Sequence, residues 1–148
     1  KCESNQQGAV SEEDIAKKEE AVLKDRLNFL DEFTYKFFSN SDETLLVSEA
    51  QREYAKTIAA FASPKATHDC ISSFSRTDFR DDLKKIDVPT LIIHGDSDRI
   101  VPLAVSGART HDAVQGSEIH VIRNGPHGCN LSHAQEFNRA LIDFITAH

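Results

Sequence analysis

Two carboxylates and a histidine occupy positions from which they could catalyse hydrolysis. Asp96 and Asp98 follow a short apolar run that ends in a glycine, and His127 lies 29 residues after Asp98 in the sequence G-P-H-G. In nucleophilic hydrolysis an imidazole takes the proton of the nucleophile, and a carboxylate fixes the tautomer of that imidazole. The order and spacing of these residues therefore predict an acid–histidine pair made of Asp98 and His127.

Each of these residues also has a simpler interpretation. An aspartate after a glycine is common in turns, so Asp96 and Asp98 could serve only to shape a turn. A histidine flanked by glycine and proline could be an ordinary exposed loop residue. The joint occurrence of the two signals, in the order that a hydrolase requires, favours the catalytic interpretation over the two separate ones.

The elements around these residues predict that they meet. The sequence pattern indicates strand, helix, strand and helix at residues 90–94, 104–114, 118–123 and 132–146. Such an alternation with short turns is typical of parallel βαβ construction, in which the carboxyl ends of the strands lie at one edge of the sheet. Because Asp98 follows the first strand and His127 follows the second, their side chains should converge there.

Upstream of these strands the pattern is helical. Helices are predicted at residues 11–39, 48–62, 63–74 and 77–85 from apolar residues at helical spacing and from capping residues. The first of them could be broken in two, and Thr77 is placed to cap the last. Six phenylalanines are predicted to belong to the core of these helices, and a few would line an acyl pocket if the helices cover the active site: Phe29, Phe33, Phe37, Phe38, Phe61 and Phe74.

The sequence contains no nucleophile elbow of the form G-x-S-x-G. Ser97, Ser106 and Ser132 do not stand between a strand and a helix in the required way, so none of them is assigned that role. Two parallel strands also have open edges and cannot cover their own apolar faces. We therefore expect further strands from a preceding part of the same gene product, from a second polypeptide or from another copy of the chain.

Other reactive side chains give weaker signals. Cys129 is too close in sequence to His127 to act readily as a nucleophile, and a free cysteine is more often a buried packing residue. Four further histidines show no H-x-x-x-H or H-x-H spacing, so we expect structural or surface roles and no metal site. These histidines, considered with Asp96, are His94, His111, His120 and His133.

Composition excludes several classes of partner. The formal charge is −7, from 24 acidic and 17 basic residues, and the basic residues beyond residue 85 are scattered arginines. This opposes binding to nucleic acid or to an anionic membrane. Three cysteines without C-x-x-C spacing indicate a reducing, cytoplasmic setting. The absence of methionine, even at position 1, predicts a processed product or a piece of a longer reading frame.

The motifs resemble those of a known family. The sequence T-D-F-R at 77–80, the sequence D-V-P-T-L-I-I-H-G-D-S-D-R-I-V-P at 87–102 and the sequence P-H-G at 126–128 resemble the α/β-hydrolase fold. More narrowly they resemble its cofactor-free chloroperoxidase and aryl-esterase branch, and L-K-D-R at 23–26 and K-A-T-H-D-C at 65–70 resemble the helical cap of that branch. The predicted fold class is thus α/β, a C-terminal part of an α/β-hydrolase with two parallel strands and flanking helices, preceded by a helical cap.

The resemblance implies an organisation and a set of roles. Residues 1–11 would be a polar lead-in, residues 12–86 the helical cap and residues 87–148 the βαβα part of the hydrolase core. Asp98 would be the catalytic acid, Asp96 a turn or hydrogen-bonding residue and His127 the catalytic histidine. The family acts by a Ser-His-Asp mechanism on small esters or carboxylic acids without metal, haem or other cofactor, and some members form peracids from hydrogen peroxide.

Two other functions stay open. The chain could be a truncated, non-catalytic paralogue whose strands pair with a partner or with themselves, since its sheet would otherwise be incomplete. It could also be a binding module that uses a pocket of the cap. The substrate, the choice between esterase and peroxidase activity and the oligomeric state are not indicated by the sequence.

Overall fold

The computed structural model describes residues 10–41 and 44–148, so the predicted lead-in 1–11 lies almost wholly outside the described residues. The chain forms two compact units. The first contains the described residues up to Tyr35 together with Ser48–Asp78, and the second contains Lys36–Val47 together with Phe79–His148. The predicted division between cap and core at residue 87 stays a prediction.

The first unit is helical. Its helices are α1 (Glu12–Lys24), α2 (Arg26–Phe37, whose last two residues belong to the second unit), α3 (Glu49–Ala60) and α4 (Pro64–Arg76). Serine side chains cap three of them, because each accepts a hydrogen bond from an amide of the first turn that has no partner within the helix. These serines are Ser11, Ser48 and Ser63.

The predicted helix 11–39 is two helices in the structure. Asp25 interrupts it with φ −155° and ψ 88°. The Asp25 carboxylate accepts a hydrogen bond from the amide of Asn28 at 3.0 Å, so the side chain starts a new helix at the point where the first one ends. An aspartate that bonds to nearby backbone amides favours a cap over a helix interior.

Arg52 lies at the centre of the first unit. Only 7% of this residue is exposed, and its guanidinium group donates to the Asp31 carboxylate at 3.1 Å and to Glu49. Lys56 donates to the same Asp31 oxygen at 2.7 Å. These ion pairs connect α3 to α2. They also provide the carboxylate partners that a buried guanidinium group requires.

Two of the sequence predictions for this unit are wrong. Phe61 and Phe74 were expected in the core but are 87% and 68% exposed, because no described helix of this unit covers their faces. Thr77 does not cap a following helix. Its hydroxyl donates to Ser73 O at 2.6 Å and ends α4, and the next helix, α5 (Arg80–Leu83), begins after Phe79 without a side-chain cap.

The second unit contains the predicted βαβα segment. Strands β1 (Leu91–Gly95) and β2 (Glu118–Ile122) pair in parallel, with Leu91 opposite Glu118 and Gly95 opposite Ile122. A 3₁₀ turn and helix α6 (Gly107–Ala113) connect them, and α7 (Cys129–Ser132) and α8 (Ala134–Ala147) follow β2. The parallel arrangement confirms the topology predicted from the sequence.

Both predicted helices of this segment are divided. The connection between the strands breaks at Ser106, whose hydroxyl donates to Pro102 O at 2.7 Å. The last helix breaks at His133, between α7 and α8. In each case a polar residue within the apolar pattern has left the helical conformation.

The sheet of the described residues is small and partly uncovered. It has two strands, and Leu91 to His94 are only half-buried although three of these four residues are apolar. Further apolar side chains of this unit are exposed: Phe79, Val88, Val121, Leu131, Leu141, Ile142 and Ile145. Within residues 10–41 and 44–148, no helix combines the length and the apolar character needed to cross a bilayer.

Candidate active site

Asp98 lies in the turn that follows β1, with its carboxylate directed by the backbone. One oxygen, Oδ1, accepts hydrogen bonds from the amides of Ile100 and Val101, both at 2.8 Å. The side chain is only 3% exposed. The two amides leave the other oxygen, Oδ2, to face the loop that follows β2.

His127 lies in that loop and meets Asp98. Its Nδ1 is 2.7 Å from Asp98 Oδ2. Because the carboxylate is an acceptor, Nδ1 carries the proton and Nε2 is left with a lone pair when the ring is neutral. The His127 side chain is 32% exposed, so a reactant can reach the ring at this edge of the sheet. The structure thus brings together the two residues that the sequence singled out.

Hydrogen bonds from two backbone amides hold the two loops against each other. The amide of Ser97 donates to Gly125 O at 3.1 Å, and the amide of Asn124 donates to the Asp96 carboxylate at 2.7 Å. Asn124 adopts φ 55°, a left-handed conformation that asparagine tolerates better than most residues. Asp96 therefore acts as a hydrogen-bonding residue of the turn, as the resemblance implied for it.

The close approach of the loops requires a glycine at the end of β1. A Cβ at Gly95 would overlap the carbonyl group of Gly125 and would lie 2.8 Å from Pro126 O. All of these are backbone atoms, so no side chain could move aside. The position of His127 relative to Asp98 depends on this contact.

The C-terminal end of α2 supports the His127 loop from its other side. The Phe37 ring meets the imidazole edge-on, with centroids 4.7 Å apart and an angle of 74° between planes. The Phe37 carbonyl accepts a hydrogen bond from the amide of Gly128 at 2.8 Å. The sequence predicts only a core or pocket position for Phe37 and has no signal for this backbone support.

His94 is a second imidazole beside Asp98, for which the sequence predicts only a structural or surface role. Its Nε2 lies 3.1 Å from Asp98 Oδ2 and 2.9 Å from Val101 O. The hydrogen bond to Asp98 raises the pKa of His94, although partial burial opposes this. The sequence does hold one indication of this contact, because His94 and Asp98 are only four positions apart at the end of β1.

The remaining candidates lie elsewhere. Cys129 is 5% exposed, and burial raises the pKa of its thiol, which suits a packing residue. The hydroxyls of the three serines bond locally, Ser97 to Asp96, Ser106 to Pro102 and Ser132 to the His133 ring. No group of three His, Cys, Asp or Glu side chains that could hold a metal occurs in the described part of the chain.

The environment of Asp98 favours its ionised form. Burial acts to raise the pKa of this carboxyl group, but the hydrogen bonds from His127 and His94, and those from the amides of Val101 and Ile100, outweigh it and hold the pKa well below its usual range. Such a group stabilises the fold above the pKa it has in the unfolded chain. That contribution is lost as the pH falls toward the lower pKa of the folded state.

We therefore expect the contribution of Asp98 to the free energy of unfolding to be lost in acid. Below about pH 4, the free energy of unfolding of the wild-type chain should fall by about 1.4 kcal/mol per pH unit more steeply than that of the Asp98→Asn variant, because one extra proton is taken up on unfolding. Urea unfolding followed by circular dichroism at pH 2.5–6 would measure both slopes. Equal slopes would contradict the depressed pKa of Asp98.

Comparison with known proteins gives this arrangement a family. No family model matches the chain. A Synechocystis protein classed among the non-haem chloroperoxidases is 43% identical over 127 residues, which are 84% of this chain and 45% of that protein. A non-haem chloroperoxidase of Kitasatospora aureofaciens is 30% identical over 84% of this chain and 46% of its own length. The chain spans about half the length of these curated relatives.

Solved structures agree with the sequence relatives. The crystal structure of a bromoperoxidase from Bacillus anthracis superposes with a TM-score of 0.95 and 53% identity, over 99% of this chain and 53% of that one. An esterase from Exiguobacterium antarcticum superposes with a TM-score of 0.83 over 96% of this chain and 54% of its own at 22% identity, which shows a shared fold.

The parallel strands, the paired acid and histidine at their carboxyl ends and these matches establish that the chain belongs to the α/β-hydrolase family, in which it corresponds to a C-terminal part. Within that family, its relatives are the non-haem chloroperoxidases and bromoperoxidases.

Proposed function

We propose that this chain supplies the acid and the histidine of a Ser-His-Asp hydrolase that acts on small esters or related acyl substrates. The 2.7 Å contact between His127 Nδ1 and Asp98 Oδ2 carries the proposal. In it, Asp98 holds the Nδ1 proton, and Nε2 takes the proton of a serine as the serine attacks the carbonyl carbon. The same Nε2 then gives the proton to the leaving alcohol.

The serine and the oxyanion donors belong, in this proposal, to a further segment that also completes the sheet. The half-buried strand residues and the exposed apolar side chains of the second unit support it, since an unpaired sheet of two strands exposes surface that more strands would cover. The segment is a preceding part of the same protein, and self-association is the alternative. In this proposal, residues 12–86 form the helical cap region of the protein.

Peracid formation is an extension of the same chemistry. A protein of Acinetobacter calcoaceticus that is 41% identical over 55% of this chain and 29% of its own length bears the name bifunctional esterase/perhydrolase. In the acyl-enzyme, hydrogen peroxide takes the place of water as the attacking group, and His127 accepts its proton. The acyl–serine bond then breaks to release a peracid, and His127 returns the proton to the serine oxygen. No metal or other cofactor enters this scheme.

The free thiols of Cys70, which is exposed, and of Cys129 support a reducing, cytoplasmic setting as part of the proposal. The net charge of −7 supports small molecules over nucleic acid or anionic membranes as partners.

A chimera tests the proposed function. The segment of the Bacillus anthracis bromoperoxidase that precedes its matched region is joined to this chain, which shares 53% identity with the part it replaces. We expect the chimera to hydrolyse p-nitrophenyl acetate with burst kinetics, and expect the 148-residue chain and the bromoperoxidase segment alone to be inactive. Release of p-nitrophenol, measured by absorbance, gives the rate.

Two outcomes would count against the proposal. A chimera that is monomeric by size-exclusion chromatography and unfolds cooperatively, yet shows no turnover of any short-chain ester, would favour a non-catalytic paralogue. Activity of the 148-residue chain by itself would place the nucleophile among its own residues.

A further inference from the structure

The His94 ring is held in a fixed orientation behind Asp98. Its Nε2 faces two acceptors, Val101 O at 2.9 Å and Asp98 Oδ2 at 3.1 Å, and its side chain is 14% exposed. A ring nitrogen between a carbonyl oxygen and a carboxylate must carry a proton, since a lone pair there would face two others. The Nε2 proton of His94 is therefore shared between the Asp98 turn and the Asp98 carboxylate.

A glycine makes room for this ring. A Cβ at Gly107, at the start of α6, would lie 2.6 Å from His94 Nδ1 and 3.1 Å from its Cγ. Gly107 is buried. The ring thus lies between the end of β1 and the backbone of α6, and any side chain at position 107 would displace it.

The contacts of Asp98 show what the ring does. The two backbone amides hold Oδ1, whereas two imidazoles of the described residues lie against Oδ2, His127 at 2.7 Å and His94 at 3.1 Å. Rotation of the carboxylate about its terminal bond is opposed on the Oδ1 side by the amides. On the Oδ2 side, His94 opposes the same rotation, because it donates a hydrogen bond to Oδ2 alongside His127.

We propose that His94 is a positioning residue, which holds Asp98 Oδ2 toward His127 and thereby keeps the neutral His127 ring in the tautomer with its proton on Nδ1. This rests on the proposed function, in which Nε2 of His127 must have a free lone pair to act as the base. In the opposite tautomer the proton would occupy Nε2, and the ring could not accept the serine proton.

The test reads the tautomer directly in the 148-residue chain. Long-range ¹H–¹⁵N correlation spectra at about pH 9, well above the ordinary pKa of histidine, show which ring nitrogen is protonated. The His127 signals are identified by their loss in His127→Gln. Thermal unfolding of each variant shows whether it is folded.

Four variants distinguish a His94 ring that positions Asp98 from one that only fills space. His94→Gln places an amide donor near the original Nε2, and we expect the Nδ1–H tautomer of His127 to persist. His94→Asn is polar but too short to reach Asp98, and His94→Phe keeps a ring without a donor. In both we expect the preference for the Nδ1–H tautomer to be lost. Gly107→Ala should give the same loss, because it displaces the His94 ring without changing its chemistry.

Folded His94→Asn, His94→Phe or Gly107→Ala variants that keep the wild-type tautomer would overturn the proposal and leave His94 as a packing residue. Loss of the tautomer in His94→Gln as well would also count against it. Asp98→Asn distinguishes this failure from a failure of the proposed function. If Asp98→Asn leaves the His127 spectrum unchanged, the acid–histidine pair itself is absent; if it alone changes the spectrum, the pair stands and only the role of His94 falls.

Discussion

Replacing Asp98 with asparagine in the chimera is expected to lower kcat by about four orders of magnitude, the size of effect that this change has in other serine hydrolases. The Oδ1 contacts with the amides of Ile100 and Val101 can persist, so the turn should keep its shape. An asparagine amide group facing Nδ1, however, favours the wrong tautomer of His127. Initial rates with p-nitrophenyl acetate, with KM determined separately, would show the loss in kcat.

Asp96→Asn is the matched control. It makes the same chemical change two residues away. The Asp96 carboxylate accepts hydrogen bonds from the Asn124 amide and the Ser97 hydroxyl and does not touch the imidazole. We expect kcat to fall no more than about tenfold, since only the loop contact is weakened. Similar losses in the two variants would mean that the general negative charge of the turn, and no specific pairing with His127, supports activity.

Gly95→Ala is expected to destabilise the chain by about 3 kcal/mol or more, at the upper end of what overpacking costs, because a methyl group would overlap backbone atoms, which cannot rotate aside as a side chain can. Relief requires the loop of Gly125 and Pro126 to shift. Such a shift would stretch the hydrogen bonds from Ser97 and Asn124 that hold the two loops together. The urea midpoint of unfolding, followed by circular dichroism, measures the effect.

Gly116→Ala gives the comparison. Nothing lies within 4 Å of a Cβ at Gly116, but its φ of 77° is unfavourable for alanine, so we expect a loss of about 1 kcal/mol from the backbone alone. If Gly95→Ala lowers the free energy of unfolding no more than Gly116→Ala does, the Gly125 carbonyl group can move away from position 95 at little cost.

The βαβ unit and the meeting of Asp98 with His127 could be predicted because both depend on short-range patterns. Strand periodicity fixes β1 and β2, and parallel strands place the following loops at one edge of the sheet. The helix breaks at Asp25 and Ser106 were harder to predict, since an isolated polar residue in an apolar pattern often stays helical. In both cases the side chain forms a local hydrogen bond that competes with the helix.

Contacts between segments that are distant in the sequence explain the other differences between the sequence predictions and the structure. The exposure of Phe61 and Phe74 depends on which surfaces face each other, and a helical pattern reports only that one face is apolar. The role of the Phe37 carbonyl toward Gly128 is invisible in the sequence because any residue has a carbonyl group. His94 did carry a signal, but its distance to Asp98 depends on the space left by Gly107.

The hydrogen bond from Gly128 to Phe37 has a consequence for the order of folding. Asp98 and His127 are 29 positions apart, whereas Gly128 and Phe37 are separated by 91. Closing the longer loop costs about 1 kcal/mol more in chain entropy. We therefore expect Asp98 and His127 to meet as soon as β1 and β2 pair. The hydrogen bond from Gly128 to Phe37 should form later, when the histidine loop is already in place.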